Sequence, residues 1–134
     1  VARRLILDTG VLITVERSTP DLRSVIGDDD YVVIAAITVA ELRAGIELAD
    51  ERNRTRRAEF VSHLLELIPV EFYDLSIAEA HGRLMAHVHR TGTRRGAHDL
   101  IIAATAAVTR RTIVTMDRSA RFGELPGVEC VVLQ

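Results

Sequence analysis

The chain of 134 residues has no lysine, no tryptophan, one cysteine and three prolines. Each shortage excludes something. A lone cysteine, Cys130, cannot form an internal disulfide, which fits a reducing cytoplasm, and it reads as a small hydrophobe in a strand. Without lysine there is no phosphate-binding residue for a P-loop NTPase. The lysine that response-regulator receivers and haloacid-dehalogenase-type phosphatases keep near their acidic pockets is missing for the same reason. Long apolar runs are absent too. The longest, YVVIAAITVA (31–40) and LIIAATAAV (100–108), fall short of the roughly 20 residues a membrane span needs. Only three apolar residues separate Arg3-Arg4 from Asp8, so no signal peptide is expected. What remains is 48% hydrophobic and 27% charged, a globular composition sized for one domain over residues 1–134.

The net charge of −2 is too low for a protein that coats a duplex. All 17 basic residues are arginine, however, and the planar guanidinium fork suits recognition of single phosphates.

Apolar periodicity predicts alternating strands and helices. RLIL (4–7) reads as a buried strand ending at Asp8, followed by helical segments at 10–17 and, opened by Pro20, at 20–27. GDDDY (27–31) lacks the spacing of a calcium loop and reads as a solvated turn. YVVIAAI (31–37) is the second strand, and Val39, Leu42, Ile46 and Ala49 mark an amphipathic helix over 38–49. A longer helix over 51–68 stops at Pro69 and leads to the strand VEFYD (70–74). Ser76 and Glu79 form a capping-box pattern for the next helix, with Ile77, Ala80, Leu84 and Val88 as its core face. After the loop TGTRRG come a helix over 97–110, a strand over 112–116 and a fifth strand over 128–133. Nearly continuous apolar strands alternating with helices describe a doubly wound α/β domain with a parallel sheet covered on both faces.

LILDTG (5–10) carries the Asp-Thr-Gly of aspartic proteases, but those enzymes are all-β and a helix follows here. The acid has another destination. Ligands of a parallel sheet bind at its carboxyl edge. Asp8 closes the first strand and Asp117 follows the fourth. Glu41 lies in the first turns of a helix leaving the second strand, and Asp99 tops a helix that descends to the fourth. Each acid alone could cap or complement a helix N-terminus. Four on one rim must take up protons, recruit arginine or bind a cation, because two carboxylates ~5 Å apart repel by about 3 kcal/mol at an effective dielectric near 20. All-oxygen donors favour Mg²⁺ or Mn²⁺ over zinc.

LILDTG, ITVAELRAG (37–45), HDLIIAATA (98–106) and IVTMDRSARF (113–122) resemble, in order, the four acidic motifs of PIN-domain nucleases, and most closely those of VapC-type toxins. The resemblance implies a five-stranded parallel sheet of order 3-2-1-4-5 and Mg²⁺- or Mn²⁺-dependent cleavage of RNA, with tRNA among the targets to be considered. It further implies a homodimer, a cognate VapB-type antitoxin, and products bearing 5′-phosphate and 3′-hydroxyl. Asp8, Glu41, Asp99 and Asp117 are then the metal ligands and catalytic acids, with Glu41 or Asp99 taking the proton of the attacking water. Thr9 and Thr115 orient the carboxylates. Arg94, Arg95, Arg118 and Arg121 are placed to grip RNA phosphates. Gly10 departs from the Ser or Asn usual after Asp-Thr, which removes a polar side chain from the rim.

Other polar groups are read structurally. Arg54, Arg56 and Arg57 form an exposed helix face, and His81, His87, His89 and His98 lack a ligating spacing. A lone Gly10 does not make a dinucleotide-binding loop. Two alternatives stay open: a non-catalytic PIN-like module that binds RNA or a protein, and a nuclease directed at DNA. Mean hydropathy of +0.16, with VLITV (11–15) and the alanine-rich helices, suggests apolar surface left for a subunit interface.

Overall fold

A computed structural model describes residues 2–17 and 26–133. The helix expected over 20–27 lies largely outside them. The elements in chain order are β1 (Arg4–Leu7), α1 (Thr9–Arg17), β2 (Tyr31–Ala35), α2 (Ala36–Leu48), α3 (Glu51–Leu67) and β3 (Val70–Glu71). They continue with α4 (Leu75–Thr91), α5 (Ala97–Thr109), β4 (Thr112–Thr115) and β5 (Glu129–Val132). The five strands form one sheet in the order β3-β2-β1-β4-β5, and every pairing is parallel.

Alternation along the strands divides the core in two. Leu5 and Leu7 of β1, with Ile34 and Val114, face a cluster completed by Val11 and Leu12 of α1, Leu42 of α2 and Leu64 of α3. Ile6, with Val33, Ala35 and Ile113, faces Ile77, Ala80 and Leu84 of α4 and Leu100, Ile102, Ala103 and Ala106 of α5. A sheet buried on both sides needs apolar residues at successive positions, which is why its strands read as unbroken hydrophobic runs.

The boundaries depart from the periodicity in places with identifiable causes. β2 stops at Ala35, and α2 begins with no linker at Ala36, two residues earlier than expected. β3 is only Val70–Glu71, because its register pairs it with just Ile34 and Ala35 at the end of β2. The cap of α4 is Asp74, whose side chain accepts from Ile77 N–H at 2.9 Å, rather than the expected Ser76. VLITV is split between the two sides: Val11 and Leu12 are fully buried, as are Ala103, Ala104 and Ala106 of α5, while Ile13 and, in α5, Val108 are exposed. The most exposed apolar side chains are Leu48, Phe72 and Leu75. In the run at 54–57, Arg54 and Arg56 are exposed as expected, while Arg57 is partly buried. Arg54 and Arg57 donate to the carbonyls of Ala49 and Gly45, and Arg56 and Arg57 flank the buried carboxylate of Glu16 at 3.7 and 3.6 Å. No helix among the described residues is long and apolar enough to cross a membrane.

Candidate active site

Parallel strands bring the carboxyl ends of β1 and β4 side by side, and Asp8 sits where they meet. Its N–H donates to Val114 O at 2.9 Å, holding the residue against β4 before Thr9 opens α1. Asp8 is only 8% exposed. The fully buried Thr115 hydroxyl donates to Asp8 Oδ2 at 2.8 Å, and Thr9 N–H donates to Oδ1 at 2.9 Å. Burial raises the Asp8 pKa above the ordinary aspartate value. These two bonds oppose the rise, while Glu41 and Asp117 add to it.

The same threonines extend the network outwards. The Thr9 hydroxyl donates to Glu41 Oε1 at 2.8 Å and shares a hydrogen bond of 3.1 Å with the buried Thr38 hydroxyl. Thr115 Oγ1 accepts the Asp117 N–H at 3.0 Å, just past the last residue of β4. Asp117 in turn caps a 3-10 turn, Arg118–Ala120, accepting Ser119 Oγ at 2.5 Å and Ser119 N–H at 2.9 Å. The Ser119 hydroxyl, joined by the backbone N–H groups of Ser119 and Ala120, holds Asp117 below the ordinary range.

Asp99, in the first turn of α5, has no hydrogen-bond donor among the described residues. Burial pushes its pKa up to about 6, and the charges of Asp8, Asp117 and Glu41 push in the same direction. Four acids distant in sequence therefore share one electrostatic environment. Asp8, Glu41 and Asp117 lean on separate partners, and among the described residues no three Asp, Glu, His or Cys side chains close into a ready metal cage. The chemistry of the set still fits a hard divalent cation: all-oxygen donors whose negative charge the neutral hydroxyls of the threonines and Ser119 bond but do not cancel.

His98 lacks a ligating spacing within its own helix, yet its ring meets an acid of the site. Its Nδ1 lies 3.3 Å from Glu41 Oε2, and among the groups acting on Asp99 it alone works against the upward shift of the pKa. Neighbouring helix positions diverge by about 100°, so spacing within α5 gives no hint of a partner on α2. Thr38 and Ser119 also escaped the sequence reading, although Ser119 stands two residues after an acid, where a turn bond forms. Of the four arginines, Arg94, Arg118 and Arg121 are exposed. Arg95 is not available to a phosphate: its side chain is 4% exposed and bonded to the carbonyls of Ala120 and Arg121.

A five-stranded parallel sheet in this order, with acids gathered where β1 and β4 end, defines the class. The PIN domain model matches residues 5–126, and the chain belongs to the PIN-domain family. Its relatives narrow the assignment to VapC-type ribonucleases. It is 32% identical to Ribonuclease VapC5 of Mycobacterium tuberculosis, over 94% of this chain and 90% of that one. It is 31% identical to the tRNA(fMet)-specific endonuclease VapC of Salmonella typhimurium, over 93% and 94% of the two chains. The crystal structure of DNA-bound VapBC from Salmonella typhimurium superposes with a TM-score of 0.84 at 25% identity, covering 97% of this chain and 98% of that one. Nucleases of this family are in general dependent on a divalent metal.

Proposed function

We propose that this chain is the toxin of a toxin–antitoxin pair, an endoribonuclease that works with Mg²⁺ or Mn²⁺ and is neutralised by a cognate VapB-type antitoxin. The observation that carries the reading is the shared charge environment of Asp8, Glu41, Asp99 and Asp117, in which burial first, and then the three neighbouring acids, raise the Asp99 pKa to about 6. A folded protein keeps so costly a cluster where the charge has work to do.

Asp8, Glu41, Asp99 and Asp117 would hold the cation. When bound, it supplies Lewis acidity that makes water a better nucleophile and offsets charge on the departing 3′ oxygen. The chain's own groups do the rest. Thr115 and Thr9 fix both oxygens of Asp8, and Thr9 fixes Glu41 Oε1, so these carboxylates are presented without a search over rotamers. Glu41 is engaged at both oxygens, by Thr9 and by His98. Asp99 is engaged at neither, which favours its carboxylate as acceptor of the proton from the attacking water. Arg94, Arg118 and Arg121, exposed on the loops beside Asp99 and Asp117, grip flanking phosphates. The domain acts as one unit in the cytoplasm. Leu48, Phe72 and Leu75 supply apolar surface for a homodimer.

Purified chain is incubated with RNA and with single-stranded DNA, with Mg²⁺, Mn²⁺ or EDTA, beside Asp8→Asn. Cleavage of RNA that needs the metal and is lost in Asp8→Asn is the expected result. A folded protein inert under every divalent ion would make it a binding module, and cleavage confined to DNA would make it a DNA nuclease.

A further inference from the structure

Arg95 takes no part in the chemistry above, yet its side chain is as secluded as the core, at 4% exposed. Burying a guanidinium is costly unless its N–H groups find acceptors. Here Nη1 donates to the carbonyls of Ala120 and Arg121, the second at 2.7 Å, and Nη2 lies 4.0 Å from Glu124 Oε1. Nε is left with no hydrogen-bond partner among the described residues. The fork's hydrogen bonds thus go to backbone carbonyls rather than to a carboxylate.

The backbone it grips is unusual. The two carbonyls belong to Arg121 and the residue before it, and Arg121 has φ +48°, a left-handed conformation that costs a non-glycine residue free energy. This residue joins the 3-10 turn capped by Asp117 to a second one, Phe122–Glu124. Arg95 itself directly precedes Gly96, the N-cap of α5, and Asp99 folds back over that glycine. A Cβ at Gly96 would stand 3.0 Å from Asp99 Oδ2. Among the described residues, no other hydrogen bond joins the loop before α5 to the segment 117–124.

We propose that Arg95 is a positioning residue that sets the separation of Asp99 and Asp117 by bolting the loop ahead of α5 to the left-handed turn beyond Asp117. It touches neither substrate nor cation. The inference rests on reading these acids as a divalent-cation site, so its test carries a control for that reading.

Mn²⁺ is titrated calorimetrically into the full chain for wild type, Arg95→Ala and Asp99→Asn, and the KM for RNA is measured alongside. Arg95→Ala, still folded by circular dichroism, weakens Mn²⁺ binding by about tenfold or more, as loss of a group supporting metal ligands does. Its KM for RNA stays near wild type, unlike that of an arginine that holds phosphate. In an Arg121→Gly background the deficit caused by Arg95→Ala shrinks, because glycine adopts positive φ without help. Should Arg95→Ala fail to fold, Arg95→Gln replaces it, since its amide nitrogen ends two bonds short of the Nη1 that bonds both carbonyls. Wild-type Mn²⁺ binding in the folded variant, whatever its melting temperature, overturns the proposal. So does a deficit untouched by Arg121→Gly. If Asp99→Asn also binds Mn²⁺ like wild type, the reading of the acids has failed and this inference falls with it. Loss in Asp99→Asn alone sinks only the role of Arg95.

Discussion

Replacing Asp99 by asparagine separates the two things this carboxylate does, because they have opposite signs. The structure raises the Asp99 pKa from the ordinary 3.8 to about 6, chiefly by burial and then by three neighbouring acids. An acid whose folded pKa is raised weakens the fold wherever it is ionised. The native state holds a proton that the unfolded chain has released, so stability falls as pH rises from about 4 through about 6. At 1.36 kcal/mol per pH unit the ceiling is about 3 kcal/mol. Asp99 is only half buried, and solvent screening reduces this to about 1 kcal/mol. Asp99→Asn, nearly isosteric and uncharged, is therefore expected to stabilise the protein in EDTA at pH 7.5, raising Tm by roughly 4 °C. Near pH 3.5 the gain vanishes. Saturating Mn²⁺ reverses the order, since only the wild type keeps its full set of ligands. Thermal melts across pH, with and without Mn²⁺, read all three. Were Asp99 merely complementing the dipole of α5, the same change would cost about 0.3–1 kcal/mol. A variant less stable than wild type at pH 7.5 in EDTA refutes the argument.

Thr115→Val removes the hydroxyl that holds Asp8 Oδ2 and accepts Asp117 N–H. Stability should fall by about 1–3 kcal/mol in urea titrations. Losing a bond that lowers the Asp8 pKa should also move the acidic limb of the cleavage profile to higher pH. Gly96→Ala has a backbone alanine accepts, φ −63° and ψ 139°, but its Cβ crowds Asp99 Oδ2 at 3.0 Å. Calorimetry should show weaker Mn²⁺ binding while Tm changes by no more than the equivalent of about 1 kcal/mol. Ala104→Leu overfills a fully buried position in α5, and chemical denaturation should show a loss of about 1–3 kcal/mol.

The order of strands and helices was legible because a sheet covered on both faces leaves continuous apolar runs, and the ends of β1 and β4 with the first turns of α2 and α5 carry Asp8, Asp117, Glu41 and Asp99. Elements end where pairing ends, which periodicity does not show: Phe72 to Asp74 look like strand but have no part of β2 left to pair with. Interactions across the chain were equally hidden. Arg94 and Arg95 are adjacent and chemically identical, yet one is exposed and the other is spent on carbonyls about 25 residues further on. That distinction depends on a left-handed turn at an arginine, where composition offers no glycine as a sign. His98 likewise meets Glu41 only because α2 and α5 converge.

The central claim is that four carboxylates jointly hold one hard cation. Anomalous diffraction from crystals soaked in Mn²⁺ tests it without reference to any substrate. The account predicts a peak at the carboxyl edge, ligated by oxygens drawn from Asp8, Glu41, Asp99 and Asp117 and absent in Asp8→Asn. A peak lodged elsewhere, or none at saturating Mn²⁺ with those side chains still turned to their threonine and serine partners, would contradict it.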